Sequence, residues 1–110
     1  MLNLRLYMAQ RLSAMVMAPL VLGHIAVMVY AIQGGLSTAE ILGRTQGSLP
    51  WLLFYGTFVV AVSVHAAIGL RVIVHETVGL RGRRLDIFTW GTGIVLLSMG
   101  ARAVAAVTMP

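Results

Sequence analysis

The sequence contains no cysteine and no lysine, and it has only three acidic residues among 110. Without thiols, this chain cannot by itself form a disulfide, a zinc–thiolate site or a cysteine-held iron–sulfur cluster. Charged residues make up 10% of the sequence and apolar residues 59%, whereas about a quarter of a typical soluble domain is charged. The composition therefore excludes a water-soluble domain and predicts an integral membrane protein.

Three long apolar runs, at residues 12–32, 49–74 and 87–109, account for this composition. Each run exceeds the ~20 residues that a helix needs to cross about 30 Å of hydrocarbon. The runs do not alternate between polar and apolar residues, as the strands of a membrane barrel would. We predict one all-α membrane domain over residues 1–110, with three transmembrane helices at about residues 12–33, 50–75 and 87–109. The first run is too long for a cleavable signal peptide, so we expect it to remain as a spanning helix.

The arginines are distributed unevenly between the predicted helix ends. Those at the N-terminus and around the second loop are Arg5, Arg11, Arg71, Arg81, Arg83 and Arg84. The first loop holds Arg44 beside Glu40, and the C-terminus is nearly bare. Because arginine-rich ends stay in the cytoplasm, we predict that the N-terminus and residues 75–86 lie inside, and that residues 34–50 and the C-terminus lie outside. This placement accounts for the net charge of +5 without a nucleic-acid partner.

Two ionisable side chains, His24 and His65, lie deep inside the predicted helices. Such groups are costly at membrane depth and indicate function by default. No acidic residue or lysine accompanies them in the apolar runs, which argues against a proton relay or ion coupling. A neutral imidazole without an acidic partner suits metal ligation, and histidines on different helices suit a haem that stands between them.

The neighbours of His65 favour a haem. Gly69 follows one helical turn later and removes a side chain where a porphyrin would lie, and Arg71 could meet a haem propionate near the cytoplasmic end. His24 has only Gly23 as a suggestive neighbour. The alternative for each histidine is a simple hydrogen bond to a serine or a carbonyl group of a neighbouring helix.

Two short stretches of the sequence resemble a known family. Residues 65–76 read His-Ala-Ala-Ile-Gly-Leu-Arg-Val-Ile-Val-His-Glu, and residues 10–14 read Gln-Arg-Leu-Ser-Ala. The first resembles the helix-two signature of the cytochrome b membrane-anchor subunit of succinate dehydrogenase. In that signature a histidine is followed by three apolar residues, a glycine, an apolar residue, an arginine, a histidine, three more residues and then an acid. The second stretch is similar to the same family's His-Arg-x-Ser-Gly at the start of helix one, and the three-helix plan also matches.

The resemblance implies a haem b-binding anchor subunit of succinate:quinone oxidoreductase, the respiratory complex II of the tricarboxylic acid cycle, in a bacterial-type cytoplasmic membrane. Such an anchor pairs with a second anchor subunit, while a flavoprotein subunit and an iron–sulfur subunit dock on the cytoplasmic face and send electrons to quinone. His65 falls on the axial haem ligand and Arg71 on the arginine beside the propionates. Arg11 falls near the quinone, with Tyr7 or Ser13 as neighbours. No catalytic site would be complete in this chain alone.

The sequence departs from the family pattern at three positions: Val72 and Gln10 replace histidines, and Tyr7 replaces a serine. In addition, Gly23-His24 resembles helix one of the two-haem members, which include quinol:fumarate reductases. That likeness implies a second, outer haem on His24.

Two other function classes compete with the electron-transfer anchor. A small multidrug or ion transporter would need a carboxylate inside the membrane, but Glu40, Glu76 and Asp86 lie in predicted loops or at helix ends. A cofactor-free assembly subunit would differ from the anchor by lacking the absorption bands of a b-type haem. The sequence leaves open the number of haems, the quinone type and the physiological direction of the reaction.

Overall fold

The structure is a computed structural model that describes residues 3–110. Within those residues the helices are α1 (Leu4–Gly34), α2 (Thr38–Thr45), α3 (Leu49–Val78) and α4 (Gly82–Thr108). The helices α1, α3 and α4 are each long and apolar enough to cross a membrane. The predicted all-α, multi-pass membrane protein is therefore confirmed, with one short helix added between the first two spans.

The helix ends follow from local capping chemistry. The Asn3 side chain accepts the N–H of Leu6 at 2.9 Å, so α1 begins at Leu4 rather than near residue 12. The polar first turns of α1 lie outside the apolar run, which is why hydropathy alone misses them. The side chain of Ser48 caps α3, Pro50 lies in its first turn, and Gly79 ends the helix in the left-handed conformation with φ of 80°.

The short helix α2 was not predicted, because its sequence is too polar and too brief to stand out in residues 34–50. It lies against the end of α4. Thr45 Oγ1 donates to the carbonyl O of Val107 at 2.6 Å, and the N–H of Gly47 donates to the carbonyl O of Thr108 at 2.7 Å. The last carbonyl groups of a helix have no donor within the helix. The segment that contains α2 therefore caps α4.

The central helix is α3, which packs against both α1 and α4. Small residues allow the close approach to α4: a Cβ built on Gly93 would lie 3.5 Å from Ala67 Cβ, and Gly100 lies directly against Val59. Most large apolar side chains are exposed on the outside of the chain. The molecule is 48 Å long and 23 Å wide in the other two directions, a length that suits a membrane of about 40–45 Å with its headgroups.

Candidate functional site

His65 lies on the side of α3 that contacts α1. Its Nδ1 atom is 3.3 Å from Ser13 Oγ, and Ser13 is buried, with 7% of its surface exposed. The same Ser13 hydroxyl donates to the carbonyl O of Gln10 at 2.9 Å. The two stretches that carry the family resemblance, residues 10–14 and 65–76, therefore meet at one point between α1 and α3.

Gly69 lies one turn beyond His65 and opposite Gln10. A Cβ built on Gly69 would be 3.6 Å from Gln10 Nε2, an ordinary van der Waals distance, so the chain leaves room for a methyl group there. Gln10 Oε1 is buried and accepts no hydrogen bond from residues 3–110. A buried acceptor without a donor is uncommon in folded proteins. This amide stands where the family pattern has a histidine, and it is not among the site residues predicted from the sequence.

Arg71 contacts α4. Its Nη1 atom donates to Asp86 Oδ1 at 2.8 Å and to Thr89 Oγ1 at 3.1 Å, and its side chain is only 12% exposed. Six residues after His65, Arg71 is rotated by roughly 240° around the helix axis, whereas Gly69 is rotated by only about 40°. Within this chain, the structure brings His65 and Gly69 together but places Arg71 elsewhere. Its carboxylate partner was not foreseen, although Asp86 is the first acidic residue after the second loop.

His24 lies in a cluster of aromatic side chains between α1 and α3. Its ring centroid is 5.3 Å from that of Phe58 and 6.3 Å from that of Tyr55, and its side chain is partly buried. A Cβ built on the preceding Gly23 would lie 3.2 Å from Phe54 Cε1. Gly23 therefore lets the Phe54 ring approach α1, and the imidazole of His24 packs among rings on α3.

Arg11 and Tyr7 share an exposed face of α1. Arg11 Nη1 donates to Tyr7 Oη at 3.4 Å, and the guanidinium carbon lies 5.8 Å from the centre of the Tyr7 ring. Ser13 is two residues beyond Arg11, which corresponds to about 200° around the helix. The three predicted quinone residues therefore divide into an exposed pair and a buried serine that contacts His65.

A cavity of about 530 Å³ lies at the end of the chain that we predict to be cytoplasmic. Its lining includes Arg71, His75, Arg81 and Asp86. His75 Nδ1 lies 2.8 Å from the carbonyl O of Leu80, so this ring nitrogen carries the proton and donates it. His75 thus connects the end of α3 to the loop that follows.

A second cavity, an open groove of about 490 Å³, runs along α3 between the start of α1 and the inner half of α4. Its walls are mostly apolar, with Val64, Ile68 and Ile94 among them, and Arg5 lies near its end. The described lining includes Arg71 but not His65. The groove is therefore separate from the contact between His65 and Ser13.

A family model described as the succinate dehydrogenase/fumarate reductase transmembrane subunit matches residues 2–107. The chain belongs to this family. Comparisons with curated proteins and with solved structures found no match.

Membership of the succinate dehydrogenase/fumarate reductase transmembrane subunit family confirms the resemblance seen in the sequence. The chain is a membrane subunit of an enzyme complex that contains other subunits. The transporter alternative is set aside, since the family match covers nearly the whole chain. The roles of individual site residues stay predictions.

Proposed function

We propose that this chain is the haem b-binding membrane anchor of a succinate:quinone oxidoreductase, and that it helps to pass electrons from an iron–sulfur subunit to membrane quinone. The observation that carries the proposal is the position of His65. This histidine lies in a membrane-spanning helix with Nδ1 against Ser13, so Nε2 is the ring nitrogen left for iron. Metal-bound histidines almost always engage the other ring nitrogen in a hydrogen bond.

The residues around His65 fit a haem. Gly69 lies on nearly the same side of α3 as His65 and leaves open space there. Even a methyl group added at Gly69 would make only an ordinary van der Waals contact with Gln10. When bound, haem b would supply a one-electron Fe(III)/Fe(II) couple. His65 would hold and orient the iron, and α1 would fix the His65 ring through Ser13. If Arg71 bound a haem propionate, that contact would compete with the ion pair between Arg71 and Asp86.

The second axial ligand would come from a partner anchor subunit. With a rise of 1.5 Å per residue, His75 is about 15 Å further along α3 than His65. His24 instead packs against the rings of Phe58 and Tyr55 in the other half of the bundle. A histidine of another chain at the depth of His65 would complete a six-coordinate haem.

The remaining partners follow from the predicted orientation. The flavoprotein and iron–sulfur subunits would dock at the arginine-rich end, where Arg81, Arg83 and Arg84 are exposed. Quinone would bind near the same end, beside Arg11 and Tyr7. A guanidinium group and a phenol can both donate hydrogen bonds to a quinone oxygen as it gains electron density. The exposed position of this pair leaves it open to a docked subunit and to quinone.

One observation favours a single haem over the two-haem, quinol:fumarate reductase type of anchor. The imidazole of His24 already has two aromatic neighbours, Tyr55 and Phe58. This packing accounts for a partly buried histidine without a second iron. In the two-haem type, His24 would be an axial ligand of the outer haem.

The test is His65→Ala in the purified complex, followed by haem quantitation and a reduced-minus-oxidised absorption spectrum. We expect the low-spin b-type signal to be lost or shifted, while succinate oxidation by a soluble artificial acceptor persists. His75→Ala is the matched control, since His75 lies on the same helix and bonds the Leu80 carbonyl. His24→Ala should leave the haem content unchanged, whereas loss of about half the haem would establish the two-haem type. Full haem content with an unchanged spectrum in His65→Ala would overturn the proposal.

A further inference from the structure

We infer that Ser13 is a positioning residue for His65: its hydroxyl oxygen accepts the Nδ1–H of the imidazole and thereby keeps Nε2 unprotonated and directed to iron. The inference rests on the proposed role of His65 as a haem ligand. It gives Ser13 a different role from the quinone contact that the sequence suggests.

The direction of the hydrogen bond follows from counting protons. A serine hydroxyl has one proton to donate and can also accept hydrogen bonds. Ser13 Oγ is 2.9 Å from the carbonyl O of Gln10, which can only accept, and 3.3 Å from His65 Nδ1. Because the shorter contact takes the hydroxyl proton, the oxygen faces His65 as an acceptor. Nδ1 must then carry the imidazole proton, and Nε2 keeps the lone pair that a metal requires.

The burial of Ser13 makes its hydrogen bond with His65 important for the imidazole. Ser13 is buried between α1 and α3, so water is not available to replace it as the partner of Nδ1. Losing the acceptor would leave the Nδ1–H of His65 without its partner inside a membrane-spanning helix, which is unfavourable. The hydrogen bond also restricts rotation of the ring and makes the imidazole a more basic ligand. A more basic ligand favours ferric iron, so the bond should lower the midpoint potential of the haem.

The position of Ser13 separates this role from quinone binding. Arg11 and Tyr7 lie on the exposed face of α1, whereas Ser13 faces α3. Its donor bond goes to the Gln10 carbonyl, and its oxygen contacts His65. A change at Ser13 should therefore affect the properties of the haem and leave the KM for quinone unchanged.

The test compares Ser13→Ala with Ser13→Thr in the purified complex. Ser63→Ala is the matched control, because Ser63 is equally buried in α3 but donates only to the carbonyl O of Val59. The measurements are haem content, the midpoint potential from a redox titration, and the largest g-value of the low-spin haem in an EPR spectrum. We expect Ser13→Ala to weaken haem binding about 10- to 100-fold, to raise the midpoint potential and to shift the g-value. Ser13→Thr, which keeps a hydroxyl group, and Ser63→Ala should resemble the unchanged complex.

The outcomes separate this inference from the proposed function. If His65→Ala loses the haem but Ser13→Ala keeps the original haem content, potential and g-value, the inference fails and the proposed function stands. If His65→Ala retains the haem, both fail. Equal shifts in Ser13→Ala and Ser63→Ala would trace the effect to loss of any buried hydroxyl and would also overturn the inference. If the midpoint potential and g-value shift as far in Ser13→Thr as in Ser13→Ala, the hydroxyl group is not responsible and the inference fails.

Discussion

Replacing Gly69 with alanine should separate the stability of the helices from the binding of haem. Within the chain, the added methyl group would lie 3.6 Å from Gln10 Nε2, so it would cause no steric overlap. Alanine is also the better helix former, by about 1 kcal/mol in water. Fold stability should therefore be unchanged or slightly raised. If a porphyrin packs over Gly69, however, the methyl group would occupy its space, at a cost of about 1–3 kcal/mol, or roughly 5- to 150-fold in haem affinity.

Haem affinity and thermal unfolding of the Gly69→Ala complex would be measured side by side, with Gly91→Ala as the matched control. Gly91 lies on α4, and a Cβ built there meets no atom within 4 Å among the described residues. Compared without haem, both variants should unfold at or slightly above the temperature of the original complex, and only Gly69→Ala should bind haem more weakly. Gly69→Leu should lose still more. Unchanged haem affinity in both Gly69 variants would refute the idea that a porphyrin lies over Gly69, even if His65 is the ligand.

Three further predictions concern quinone, helix packing and topology. Arg11→Leu should raise the KM for quinone or slow quinone reduction, while succinate oxidation by a soluble acceptor persists; equal loss of both activities would indicate failed assembly instead. Gly100→Ala should lower the thermal stability of the complex by about 1–3 kcal/mol, because the methyl group would overlap Val59, whose β-branched side chain cannot swing away. Val59→Ala in the same chain should restore most of that loss. A reporter that is active only in the cytoplasm should give no signal when fused to the C-terminus, and a clear signal would contradict the predicted orientation.

The spanning helices could be predicted from the sequence because each depends on a property of consecutive residues. A run of about 20 apolar residues crosses the bilayer wherever its neighbours lie, and Pro50 marks the start of α3 by local geometry alone. The start of α1 and the whole of α2 were missed for the opposite reason. Their turns are polar, and α2 gains its hydrogen bonds from the far end of α4, as the bond from Thr45 to Val107 shows.

The candidate site was predicted only in part, because residue spacing says which side chains share one helix face but not what that face meets. The spacing of His65 and Gly69 places them on neighbouring sides of α3. It could not reveal that Arg71 pairs with Asp86 on α4. It also could not divide residues 7–13 into an exposed pair and a buried serine, since that division depends on where α3 packs.

The sequence by itself determined that this chain is a three-span membrane protein of the succinate dehydrogenase/fumarate reductase anchor type. Hydropathy and the two short motifs are properties of consecutive residues and do not depend on how the helices pack. Only the tertiary structure decided which motif residues meet. The contact between Ser13 and His65 joins positions on different helices, 52 residues apart in the chain, and it depends on the packing of α1 against α3. When one ring nitrogen of a histidine is engaged in a hydrogen bond, the other is left to bind a metal. Because the packing of α1 against α3 engages Nδ1 of His65 with Ser13, it selects Nε2 as the atom that could bind iron.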